Sequence, residues 1–117
     1  LKKTTKSQFH EFIKHCERYR AQLSLWDWQI YYRHEKTGDA YATADIDLPS
    51  KTVTIKFNSD LEKSDFEPGW IERTAKHEMI HVFIGRITYL AGARYITDSE
   101  LEEATEELVF ELEHLIK

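Results

Sequence analysis

Two histidines four residues apart, with a glutamate directly after the first, make His77-Glu78-Met79-Ile80-His81 the stretch of this 117-residue chain best suited to chemistry. On an α-helix, residues i and i+4 share one face about 6 Å apart at Cβ, so both imidazoles can point at one ion. Two neutral ring nitrogens suit Zn²⁺, and a catalytic zinc takes three protein ligands and keeps a fourth position for water. A carboxylate beside the ligands, itself off the metal, can take that water's proton as it attacks a carbonyl. The spacing HExxH therefore points to metal-assisted hydrolysis, with His77 and His81 as zinc ligands and Glu78 as general base.

The elements around these residues must hold that geometry. Pro68 suits the first position of a helix, and Ile71, Ala75, Met79, Val82 and Phe83 recur at helical spacing. With Ile71 at zero, this stripe spans about 0 to 120°, whereas His77, His81 and Glu78 fall at about 240, 280 and 340°. The motif thus lies beside the buried face. The helix is expected to run to about Leu90 and to stop at Ala91-Gly92. Upstream, Thr5-Lys6-Ser7-Gln8 reads as a capping box. It opens a helix whose Phe9, Phe12, Ile13, Cys16, Tyr19 and Leu23 share a face, with His10 and His15 off it as surface residues. Three strands follow. Trp26–His34 is rich in strand formers, with Trp28, Ile30 and Tyr32 on one face, and Glu35–Asp39 is its turn. Ala40–Leu48 alternates small or apolar residues with polar ones, and Val53, Ile55 and Phe57 alternate after a turn at Pro49-Ser50-Lys51. Thr97-Asp98-Ser99-Glu100 is a second capping box. It opens a last helix with Leu101, Ala104, Thr105, Leu108, Leu112 and Leu115 on one face. The order α-β-β-β-α-α implies a single α+β domain over 1–117, a three-stranded sheet of antiparallel hairpins with helices on one face.

Composition narrows the class. A hydrophobic fraction of 41%, with 13% aromatic and 32% charged residues, marks a globular chain with a soluble surface. A net charge of −5 argues against a nucleic-acid partner, and the basic Lys2, Lys3 and Lys6 form only a short solvated run. The single Cys16 excludes an internal disulfide and falls on the apolar face of its helix, so a buried, reduced thiol and a cytoplasmic setting are expected. No apolar run reaches the length of a membrane span, and the first residues carry no apolar signal core.

With these residues in place, the chain resembles the zincin-like metallopeptidases, and within them the small single-domain gluzincins whose third zinc ligand is a glutamate. It also looks like the compact metallopeptidase-like proteins of phages and prophages, on size and layout. The resemblance covers most of the chain in element order; its specific residues are His77, Glu78, His81 and one acid of the last helix. It implies zinc-dependent hydrolysis of peptide bonds, with the substrate pairing along a sheet edge. That edge is Ala40–Asp47 or, alternatively, Val53–Phe57. Residue 87 is Ile87, so the longer motif with a third histidine is absent. No cysteine-rich zinc ribbon follows, and DNA-repair proteases bearing this motif match in the motif alone. Tyr89, Tyr95, His34 and His114 stand as candidates for a second donor to the transition state.

The third ligand must sit at the edge of the last helix's apolar face. With Leu101 at zero, Glu102 falls at about 100°, Glu106 at about 140° and Glu103 at about 200°. The edge position favours Glu102 over Glu103. The family's spacing agrees, since a small residue at +3, an acid at +4 and apolar residues at +6 and +7 read from Glu102 as Thr105, Glu106, Leu108 and Val109. Glu106 is then the acceptor for the second N–H of a ligand histidine. The rival reading keeps the zinc and drops the turnover: a structural or interaction module of a phage or bacterial protein. An unliganded Glu78 separates the two, because a purely structural site gains nothing from it.

Overall fold

A computed structural model describes residues 2–61, 66–92 and 97–116. Its elements are β1 (Lys2–Lys3), α1 (Lys6–Gln22), β2 (Gln29–Glu35), β3 (Ala42–Asp47), β4 (Thr52–Asn58), β5 (Asp60–Leu61), α2 (Trp70–Gly92) and α3 (Asp98–Leu115). The fold is α+β, a three-stranded mixed sheet with three helices. Both expected helix starts carry their caps. The Gln8 N–H donates to Thr5 Oγ1 and the Thr5 N–H to Gln8 Oε1, while the Glu100 N–H donates to Thr97 Oγ1. α2 begins two residues after Pro68, because Gly69 turns the chain at φ +77°, a left-handed conformation that glycine enters without strain.

The sheet departs from the expected run of antiparallel hairpins. Its order is β2-β4-β3: β4 lies in the middle, antiparallel to β3 and parallel to β2. The short turn at Pro49–Lys51 makes β3 and β4 a hairpin, and β2 joins along the free side of β4, where its direction is parallel, and not along β3. β4 is buried through Val53, Ile55, Phe57 and Asn58, whereas β3 has one edge with no strand on it among the described residues. The pair β1–β5, absent from the expected elements, ties the N-terminal strand beside the end of β4.

α1 and α2 cover the face bearing Trp28, Val53, Ile55 and Phe57. Phe12, Cys16 and Tyr19 of α1 and Trp70, Ile71, Ala75, Met79 and Val82 of α2 join them in one core. Phe57 is its centre, stacked on Phe12 at 4.7 Å and on Trp70 at 5.7 Å between ring centroids. α2 is not the one-sided helix that its stripe implies. Ile80 and Ile84 are buried on a second side against Val109 of α3, and Phe83, expected in the core, is 48% exposed. A helix packed on two sides has an apolar surface wider than one stripe.

Two contacts bring the sheet close to the motif. Asn58, fully buried, donates through Nδ2 to the carbonyls of Gly38 and Ala40 at 2.9 Å each, and its Oδ1 accepts from the Asp60 N–H. These bonds shape the turn that delivers Tyr41 and Ala42 to α2. Further along, Gly85 admits Ile46 so closely that a Cβ there would stand 3.3 Å from Ile46 Cδ1. Among the described residues, no helix is long and apolar enough to cross a membrane.

Candidate metal centre

α2 carries His77, Glu78 and His81 on the flank between β3 and α3. His77 and His81 point their Nε2 atoms at each other across 3.1 Å, as expected for positions i and i+4. The acid brought to them is Glu106, whose Oε1 lies 2.9 Å from His81 Nε2 and whose Oε2 lies 3.8 Å from His77 Nε2. The expected ligand Glu102 is not in this group: it lies one turn earlier and lines a shallow depression beside His81 and Glu106, and Glu102, Glu103 and Glu106 are all exposed. The buried centre of α3 is Val109, and Leu108 on the expected face is 38% exposed. The face that meets α2 is therefore rotated toward the acids. A wheel gives the angle of Glu102 correctly but not its height, and one helical turn is about 5.4 Å.

The supporting position is displaced in the same direction. Glu113, two turns beyond Glu106, takes the role expected of Glu106. Its Oε1 accepts from His77 Nδ1–H at 2.6 Å. A carboxylate that accepts from Nδ1–H leaves the lone pair of a neutral imidazole on Nε2, the atom that here faces the cluster. Burial, and then the neighbouring His77, lower the pKa of His81 against the opposing charges of Glu106 and Glu113, which favours the neutral ring.

The donor set fits a zinc ion. His77 Nε2, His81 Nε2 and a Glu106 oxygen lie within 4.8 Å of one another. Ligands 2.0–2.2 Å from one tetrahedral ion stand about 3.3 Å apart; the two Nε2 atoms are 3.1 Å apart, and Glu106 brings one oxygen to 2.9 Å from His81 and the other to 3.8 Å from His77. Two nitrogens and one carboxylate oxygen are also the donors of a catalytic arrangement of three protein ligands.

Glu78 is 6% exposed and outside this trio. Burial, and then the negative charges of Glu106 and Glu113, push its carboxyl up to about 8. It lines a cleft of about 330 Å³ with His77, Glu113, Trp70, Arg73, Thr74 and residues 40–42. A second cleft, about 210 Å³, lies on the far side of His81 between Ile46, Leu48, Gly85, Thr88 and Thr105. The two clefts flank the histidines, one at each end of β3.

The expected second donors fall elsewhere. His34 bonds Thr4 Oγ1 and stacks on Phe9, and His114 donates from Nδ1 to the Phe110 carbonyl of its own helix. Tyr95 lies outside the described residues, and the side chain of Tyr89 is likewise not described. Tyr41 and Arg73 are among the donor-bearing side chains that line the cleft with Glu78. Neither carries a sequence signal, since both reach the site through the fold. Compared with family models, curated proteins and solved structures, the chain matches none.

Proposed function

We propose that the chain is a zinc-dependent peptidase of zincin-like fold, in which His77, His81 and Glu106 hold the ion and Glu78 is the general base. The observation that carries this reading is the position of Glu78. A buried carboxylate stands next to two inward-facing histidines, is not one of the three donors, and lines the same cleft as His77. When bound, zinc supplies Lewis acidity, polarising a carbonyl oxygen and making water more acidic. Glu78 takes the proton of the attacking water and returns it to the departing amine. A cation at the adjacent nitrogens favours its ionised form, against the burial that otherwise keeps it protonated. Glu113 fixes the His77 ring.

The open edge of β3 supports a peptide as substrate. Asn58 N–H donates to the Tyr41 carbonyl, and residues 41 and 58 are opposite one another in the continued register of β3 and β4. By the antiparallel alternation, Thr43, Asp45 and Asp47 also bond to β4. Ala42, Ala44 and Ile46 therefore turn their N–H and C=O groups outward, between the two clefts. An extended chain adding to that edge would lie across the histidines. β4 is central and offers no edge, which leaves Ala42–Asp47 as the edge nearest the motif.

Elemental analysis and digestion of a peptide library test the reading together. The parent should carry about one zinc per chain, lost in His77→Ala and His81→Ala and weakened far more by Glu106→Ala than by Glu102→Ala. Glu78→Gln should keep zinc and lose turnover by about 10²-fold or more. Zinc with no hydrolysis of any peptide would favour the non-catalytic module, and full zinc in both histidine variants would place the metal elsewhere.

A further inference from the structure

We propose that Lys76 is a positioning residue for this site, fastening the last turn of α3 so that Glu113 and Glu106 meet the histidines. The proposal rests on the reading of His77, His81 and Glu106 as a metal site. Lys76 Nζ donates to the Glu113 carbonyl at 2.9 Å and to the Ile116 carbonyl, and it stands 5.9 Å from the centroid of the Tyr19 ring. One ammonium thereby joins α1, α2 and α3. The last carbonyls of a helix have no partner within it, and a lysine there satisfies them while complementing the helix dipole.

A cap alone would have no bearing on the metal. What links Lys76 to the site is that Lys76 and His77, adjacent on α2, hold the same residue of α3. Lys76 takes the backbone carbonyl of Glu113, and His77 donates to its carboxylate. Apart from the pairing of His81 with Glu106 nearer the start of α3, the remaining grip is apolar: Val109, Leu112 and Ile116 against Ile80 and Ile84. Such burial is non-directional and tolerates a small slide or roll of one helix on the other. Hydrogen bonds do not, since a shift of about 1 Å would open the His77–Glu113 bond past any useful length. Lys76 supplies the directional restraint that the apolar seam lacks.

The test compares Lys76→Met, which keeps the stem over Tyr19 and loses the donors, with Lys76→Arg, which keeps donors. Zinc affinity by chelator competition should fall about 10-fold or more in the first and stay within about 3-fold in the second. In a Glu113→Ala background, Lys76→Met should cost less than about 2-fold more, because the two act as one unit. The zinc-free protein gives a separate readout, the downfield proton resonance of His77 Nδ1–H. It should be present in the parent and Lys76→Arg, and lost in Lys76→Met. A merely structural cap would lower the melting temperature and leave affinity and resonance unmoved. Unchanged affinity in Lys76→Met, an equal penalty in both backgrounds, or a resonance indifferent to Lys76 would overturn the proposal. If the parent bound no zinc, the peptidase reading would fall, and the resonance alone would decide the role of Lys76.

Discussion

The two flanks of α2 are built on different principles. Toward α1 and the sheet, Ile71, Ala75, Met79 and Val82 enter a core with Phe12, Tyr19, Ile55 and Phe57, where burial is the main hold on the helix. Toward α3 the buried apolar residues are Ile80, Ile84 and Val109, with Leu112 and Ile116 around them, and the rest of the seam is polar. His77–Glu113, His81–Glu106 and Lys76 with the end of α3 carry it. One flank sets where α2 lies; the other sets which atoms face each other. The candidate site occupies the flank with less cohesion of its own, where a bound ion would supply the missing part.

The largest expected effect breaks the strong flank. Phe57→Ala should cost about 3–5 kcal/mol, as removal of a buried phenylalanine does. Urea unfolding should give the same loss with and without chelator. A cost under about 1 kcal/mol would mean that this flank is not the anchor. Next comes metal removal. Zinc held at 100 times its dissociation constant contributes about 2.7 kcal/mol. Chelation should therefore raise hydrogen exchange in α3 and around Ile80–Ile84 while leaving β4 protected. Uniform loss of protection would erase the distinction between the flanks.

The smallest effect probes an ion pair on the strong flank. Glu72 Oε1 accepts from Arg18 Nη2 at 2.9 Å and from the Tyr19 hydroxyl at 3.0 Å, joining α2 to α1. The Arg18 bond first, and the Tyr19 bond second, hold the Glu72 carboxyl below its ordinary 4.5. A depressed folded value means that the contribution is present above the unfolded value and lost as pH falls through the folded one. Glu72→Gln should cost under about 1 kcal/mol at pH 7, less in high salt, because the pair is half exposed. The difference from the parent should vanish in acid; a difference that persisted there would assign the effect to packing.

Local signals were legible and distant ones were not. The caps at Thr5 and Thr97, the apolar faces of β4 and most of the α2 stripe follow from neighbours a few residues apart, and all are in the structure. The facing of His77 and His81 is of the same kind. The place of β4 between its neighbours depends on which strand closes a long loop, and alternation within a strand says nothing of that. The acid of α3 depended on the height at which two helices cross. Leucines set the expected face, whereas Val109 is its buried centre, and this brought Glu106 and Glu113 to the histidines. Lys76 was illegible because its acceptors are backbone carbonyls, which every residue has.

The central place of β4 also orders assembly as the chain is made. β2 and β3 are synthesised before the strand that both pair with, so neither has a partner in the sheet until Thr52–Asn58 exists. The β3–β4 hairpin can then close locally, while the parallel junction to β2 must close the longer loop and is the slower step. α3 packs chiefly on α2 and comes last, onto a surface that the sheet and α1 have already set. A nascent chain that has passed residue 92 holds both histidines and Glu78 but neither Glu106 nor Glu113. On the proposed reading the donor set is therefore completed only once α3 has been made, and an unfinished chain would offer two nitrogens in its place.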